Sequence, residues 1–146
     1  MKRILIMGLP GTGKTTLAEE LRDLLDENNK KTVWLNADRV REEYDDWDFS
    51  HEGRIRQSKR MRELADRLDS DYAIADFVCP LPEMREIYSA DYTVWVDTIV
   101  ESKFADTTKL FVTPEKYNLR VTTQDSAFWS RLILNQLKQD FDLISN

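Results

Sequence analysis

The stretch Gly8–Thr15, GLPGTGKT, constrains this chain more than any other part of it. It fits G-x-x-x-x-G-K-[ST] at every fixed position. Its flanks carry equal weight. Before it runs Arg3–Gly8, an apolar run of buried-strand type that ends in glycine. After it, residues Gly13–Asp26 bring Leu17, Leu21, Leu24 and Leu25 round at helical spacing. Strand, glycine turn and helix in that order gather backbone N–H groups and a helix N-terminus around one point. Such a point suits a polyphosphate. An ordinary glycine turn capping a helix is the plain alternative, and the complete pattern in the right context outweighs it. Gly8, Pro10, Gly11, Thr12, Gly13, Lys14, Thr15 and Thr16 are therefore expected to cradle the phosphates of ATP. Lys14 would reach the β- and γ-phosphates, and Thr15 would ligate Mg²⁺.

The remainder alternates strands with helices. Lys31–Asp38, Tyr72–Val78, Tyr92–Thr98 and Asn118–Thr123 read as further strands. His51–Leu68 reads as a helix, and Pro82–Ser89 as a short one with proline in its first turn. Asp125 or Ser126 can cap a final helix whose apolar positions are Phe128, Trp129, Leu132, Ile133, Leu137 and Phe141. The expected class is α/β: a three-layer P-loop NTPase fold with a five-stranded parallel sheet, one P-loop kinase domain over residues 1–146. Ligands of such sheets sit at the carboxyl ends of the strands. Gly8, Asp38 and Asp76 should meet there.

A 41% hydrophobic content supports a real core, and a net charge of −6 argues against a general nucleic-acid surface. Cys79 is the single cysteine, which excludes an internal disulfide and fits a reducing compartment. The apolar run Ile4–Met7 is too short for a signal peptide. No stretch approaches the roughly 20 apolar residues of a membrane span. A cytoplasmic protein is expected.

The segment Asp45–Gln57, DDWDFSHEGRIRQ, poses a different question: what is it shaped to hold? Upstream, Asp38 and Arg41 form D-x-x-R after a strand. Asp38 could take a proton from an attacking hydroxyl and stand near the metal, and Arg41 could hold an anionic acceptor. The plain reading is a helix cap and a solvent arginine. On the helix from His51, residues Ser58, Met61, Leu64, Ala65 and Leu68 share one stripe, and Arg54 and Gln57 head it. Arg56, Lys59, Arg60 and Arg67 fall opposite and should be solvated. An arginine on the buried stripe needs a partner. That partner is either Asp45, Asp46 or Asp48, or an anionic ligand. Phe49 either stacks on a base or packs in the core.

Other residues invite less. His51 is the single histidine, with no companion for a metal site. Cys79 reads as a packed side chain rather than a nucleophile. Asp76 could act through water on Mg²⁺ or serve as a structural hydrogen-bond acceptor. The tryptophans belong to the core, except Trp47 in the suspected acceptor loop.

Taken in order, GLPGTGKTT, LNADRVR, DFSHEGRIRQ, ADFVCPLPEMR and TVWVDT resemble the adenylylsulfate (APS) kinases from Ile4 to about Thr98. The resemblance implies that Phe49 stacks on the adenine of APS and that Arg41 and Arg54 bind its phosphosulfate region. Gln57 stands where the family has asparagine, also an acceptor contact, and Arg85 matches a family arginine. Asp38 is implied near the reacting hydroxyl and metal, and a homodimer is implied. The pattern departs at Asn36, where the family usually has aspartate. It departs again in the lid, Glu101–Asn118, which is short and lacks the family's lysine-rich segment. Lys103, Lys109 and Lys116 are the cations available there.

The expected activity is thus ATP-dependent phosphorylation of the 3′-hydroxyl of APS, giving PAPS and ADP. Lys14 and Asp38 would be catalytic, and Asp38, Arg41, Phe49, Arg54 and Gln57 would bind the acceptor. Two alternatives stay open at this point. One is a P-loop kinase for another nucleotide, a polynucleotide end or a small hydroxyl metabolite. The other is a nucleotide-binding module with impaired transfer.

Overall fold

The computed structural model describes residues 1–141. Its strands are β1 (Lys2–Met7), β2 (Thr32–Asn36), β3 (Tyr72–Asp76), β4 (Tyr92–Val96) and β5 (Leu119–Val121). Its helices are α1 (Lys14–Glu27), α2 (Ala37–Tyr44), α3 (His51–Arg67), α4 (Pro82–Tyr88), α5 (Ala105–Leu110) and α6 (Ser126–Phe141). The five strands form one parallel sheet in the order β2-β3-β1-β4-β5. This is the three-layer P-loop fold the alternation predicts.

Side chains of β1 alternate between the faces, as the period of two demands. Ile4 and Ile6 join Leu17, Leu21, Ile133 and Leu137 of α1 and α6. Leu5 and Met7 join Met61, Ala65, Met84 and Tyr88 of α3 and α4. Two cores therefore clamp the central strands, and these strands end together at one edge. Among the described residues, no helix is long and apolar enough to cross a membrane.

Several boundaries differ from the sequence reading. β2 stops at Asn36, whose side chain accepts from Arg39 N at 3.1 Å and caps α2. Asp38 thus sits in the first turn of α2 rather than at a strand end. Helix α5 has no strong periodic signal and was not expected. In α6, Asp125 is the capping side chain, accepting from Phe128 N at 3.2 Å. Phe128, expected on the apolar stripe, is 55% exposed, while Leu134 takes a buried place. Leu68 likewise lies outside the core, just beyond the end of α3.

The phosphate-loop backbone is set by close packing. Gly8 has φ +153°, and a Cβ on it would lie 2.4 Å from the carbonyl oxygen of Val96. The loop leaves β1 pressed against the end of β4, and only glycine permits that approach. Gly8→Ala is expected to destabilise the fold by about 1–3 kcal/mol and to weaken nucleotide binding. A denaturant midpoint equal to the parent's would show that the loop yields without cost.

Candidate active site

The carboxyl ends of β1, β2 and β3 open into a cavity of about 700 Å³. Pro10, Gly11, Lys14 and Thr15 form one side of it, and Asp38, Arg41, Phe49, Arg54 and Gln57 the other. The two sets read separately from the sequence therefore share one space. A smaller cavity of about 160 Å³ lies on the far side of the loop, lined by Thr12, Gly13 and Thr16 with Gln124, Asp125 and Trp129. No sequence signal announced that second space, because β5 and the start of α6 carry no motif.

Lys14 is buried, and its Nζ donates to the Leu9 carbonyl at 2.9 Å. Burial pushes its pKa down, while Asp76 and Asp38 pull it up. Thr12 Oγ1 also donates to Leu9 O, at 2.8 Å, and Thr98 Oγ1 donates to Thr12 O at 2.9 Å. The second of these ties the loop to the segment just after β4. Asp38 is exposed, faces this cavity and shares it with Lys14 and Arg41.

The wall facing the phosphate loop is built by the segment after α2. Asp46 is the organising carboxylate. It accepts from Arg56 Nε at 2.7 Å, Arg56 Nη2 at 3.0 Å and Arg60 Nη2 at 3.0 Å. Asp48 takes a further bond from Arg56 at 3.2 Å. Arg56 and Arg60 were expected in solvent. Arg56 is exposed, though paired with the loop acids, while Arg60 is drawn inward beneath Asp46. Their guanidiniums hold the Asp46 carboxyl well below its usual range. A depressed folded pKa means this stabilisation is full above the ordinary aspartate range and is lost only as pH falls through the depressed value. Gly53 lets the loop lie flat, since a Cβ there would meet Asp48 O at 2.1 Å.

With the acids engaged elsewhere, Arg54 forms no ion pair among the described residues. Its Nε donates to Phe49 O at 3.0 Å and its Nη2 to Thr107 Oγ1 at 3.3 Å. Arg41 is 4% exposed, and its Nη1 donates to the carbonyls of Asp46 at 2.9 Å and Asp48 at 3.1 Å. Both guanidiniums flank the Phe49 ring, at 4.3 Å for Arg41 and 5.3 Å for Arg54. Burial lowers the pKa of each; for Arg41 the nearby Asp46 carboxylate opposes that shift, and the neighbouring Arg54 adds to it. Two like charges are thus held together at a half-exposed aromatic ring. Phe49 is 50% exposed, so it is a wall of the cavity and not core.

Other expectations resolve as follows. Gln57 lines the cavity, but its Nε2 donates to Ala37 O at 3.0 Å and its Oε1 accepts from Arg60 at 2.9 Å. Trp47 lies beside Phe49 at 6.4 Å without reaching the cavity wall. From the lid, Phe104, Ala105, Asp106 and Thr107 line the cavity, whereas Lys103, Lys109 and Lys116 do not. Arg85 binds the carbonyls of Cys79, Pro80 and Val112, so it pins the end of the lid to the turn after β3. Cys79 is buried with its pKa raised by that burial, as a packed thiol would be.

The chain was compared with known proteins. The family model for adenylylsulphate kinase matches residues 2–113. A curated relative, the probable adenylyl-sulfate kinase of Aeropyrum pernix, is 34% identical over 85 residues. That match covers 56% of this chain and 46% of the relative, so this chain spans about half of the relative's length. Among solved structures, Mycobacterium tuberculosis APS kinase CysC in complex with AMPPNP and APS superposes with a TM-score of 0.79 at 19% identity, covering 94% of this chain and 97% of the other. Shikimate kinase from Acinetobacter baumannii in complex with shikimate gives 0.66 at 18% identity, covering 97% and 95%. At such identities these structures attest the fold. The family match extends over most of the sequence, through the phosphate loop and the whole acceptor segment, and on it this chain belongs to the adenylylsulphate kinase family.

Proposed function

We propose that this chain transfers the γ-phosphoryl group of ATP to the 3′-hydroxyl of adenylylsulfate, giving PAPS and ADP. The observation that carries the reading is the pair of guanidiniums at Phe49. Arg41 and Arg54 face the cavity and form no ion pair among the described residues, while Asp46 and Asp48 place their carboxylates on Arg56 and Arg60. A base with an attached anionic group fits such a wall: the ring stacks the base and the arginines meet the charge. Family membership supports the same acceptor.

Lys14 and the loop N–H groups between Gly8 and Thr16 bind and orient the triphosphate. The smaller cavity beside Gly13 and Thr16 gives the nucleoside of ATP a place to rest. In the transfer, the bond between the γ-phosphorus and the β–γ bridging oxygen breaks. A new bond forms to the acceptor 3′-oxygen, whose proton passes to Asp38, and ADP leaves. Thr15, Asp38 and Asp76 are all oxygen donors in one cavity, a set that fits Mg²⁺. Among the described residues, no cluster of three or more His, Cys, Asp or Glu side chains forms a dedicated cage, in keeping with a cation held largely by phosphate and water. Mg²⁺, when bound, supplies charge neutralisation at the β- and γ-phosphates.

The reading is tested by ADP production against APS, nucleoside monophosphates, gluconate, shikimate and a 5′-hydroxyl oligonucleotide. APS should stimulate turnover above all others. Stimulation by a different acceptor would reassign the substrate, and turnover indifferent to every acceptor would favour a binding module. Lys14→Ala should abolish transfer while the thermal transition persists. Asp38→Asn should lower kcat by about 10²–10⁴-fold with ATP binding changed far less, since it removes the proton acceptor. A kcat within twofold of the parent would exclude that role. Phe49→Ala should raise KM for APS by about tenfold to a hundredfold, the worth of one stacked base. Arg54→Ala should do at least as much without unfolding the protein, because no carboxylate is left unpaired by its loss. Unchanged KM values in both would return this wall to a structural role.

A further inference from the structure

Two threonines stand side by side in α5, and the helix turns them to different partners. Thr108 Oγ1 donates to Phe104 O at 3.2 Å and accepts from Ser102 N at 3.0 Å. That hydroxyl holds the start of the short helix together. One residue earlier, about 100° round the helix, Thr107 lines the larger cavity. Its Oγ1 accepts from Arg54 Nη2 at 3.3 Å. Among the described residues nothing takes the Thr107 proton in return. A hydroxyl has two lone pairs and one proton to donate. Accepting from a guanidinium polarises the O–H and strengthens it as a donor. A free donor at that place suits a negatively charged oxygen, as the guanidinium does.

The surroundings of α5 leave this task to Thr107. Val112 N donates to Pro80 O at 2.8 Å, and Arg85 donates to Val112 O, so the chain just beyond α5 is pinned. The helix itself buries no residue, and core packing does not set which face meets the cavity. The bond from Arg54 does. From the lid, Phe104, Ala105, Asp106 and Thr107 line the cavity. A phenyl ring, a methyl group and a carboxylate offer no side-chain donor. Arg54, for its part, has Nε on Phe49 O and Nη2 on Thr107, which leaves Nη1 for a ligand.

We propose that Thr107 is a further acceptor-binding residue, which accepts from Arg54 and donates its own proton to the phosphate- or sulfate-type anion that the guanidinium meets. The inference rests on the acceptor reading above. Were the bond to Arg54 only a brace, Thr107 would act through the guanidinium alone and add nothing once Arg54 is gone.

The test is calorimetric binding of APS to protein loaded with AMPPNP and Mg²⁺. Thr107→Val removes the hydroxyl and keeps the shape; Thr107→Ala removes it without adding bulk. Since α5 has no buried residue, neither change opens the core. Both should weaken APS by about tenfold to a hundredfold, the range for a hydrogen bond to a charged group, with AMPPNP affinity held. Thr107→Ser keeps the donor and should bind APS as the parent does. In Arg54→Ala protein, Thr107→Val should still weaken APS, by less than before because the polarising cation is gone. Parental APS affinity in Thr107→Val and Thr107→Ala overturns the proposal. So does the absence of any further loss in the Arg54→Ala background, which makes the threonine a brace. An equal loss of AMPPNP affinity overturns it too, since the fault is then lid placement. If the parent itself binds no APS, the acceptor reading falls and this inference with it, so the two failures are told apart.

Discussion

A lysine and an aspartate lie buried at the floor of one cavity, and that end of the sheet is arranged around what they require. Burial pushes Lys14 down and Asp76 up, and their mutual attraction opposes both shifts. The residues nearby temper the cost of holding charge out of water. The Leu9 carbonyl takes the ammonium, while Asn36 and Trp34 hold the carboxylate. Strand order makes this possible. β3 lies between β1 and β2, so Asp76 has the phosphate loop on one side and the Asn36 cap on the other. A different order would separate these groups even with every motif intact.

The acceptor wall solves an opposite problem. Arg41, Arg54, Arg56 and Arg60 gather there, and the fold decides which of them meet a carboxylate. Asp46 and Asp48 bend back to Arg56 on the outer side of α3, and Asp46 also draws in Arg60. This clamp fixes the loop whose carbonyls then grip Arg41. Gly53 allows the loop to lie close enough, and Ser50 caps the helix by accepting from Gly53 N at 3.2 Å. The unpaired guanidiniums are thereby a product of packing rather than a surplus left on the surface.

Much of this was legible in the sequence. The phosphate loop could be read because its chemistry demands particular residues at fixed spacing, with a strand before and a helix after. The buried stripe of α3 placed Arg54 and Gln57 toward the cavity. The stripe could not say that Arg60 would be drawn inward, because that depends on where Asp46 lands after a turn of irregular backbone. Asn36 read as an interior residue of a strand running to Asp38, because its capping role depends on the hydrogen bond from Arg39 N. The contribution of Phe104 and Thr107 was hidden for a similar reason. Short α5 has no buried residue of its own, so periodicity had nothing to reveal.

The two halves of the cavity also differ in what holds them. The loop side is fixed by backbone: glycine conformations, carbonyls and the close approach of Gly8 to Val96. Backbone geometry carries little information about an acceptor, and kinases of other substrates superpose on this chain accordingly, the shikimate kinase at a TM-score of 0.66. The acceptor side is fixed by side chains: one ring, two guanidiniums and the lid residues that close on them. There the fold sets only the distance across the cavity, and residue identity sets what can be bound. A lid that presents Phe104, Asp106 and Thr107 to the cavity, with its lysines turned elsewhere, leaves the positive charge of this wall to Arg41 and Arg54. If the acceptor is the anionic nucleotide proposed above, its selection would rest on α2 and α3, where Asp46 and Gly53 hold the geometry, more than on the lid.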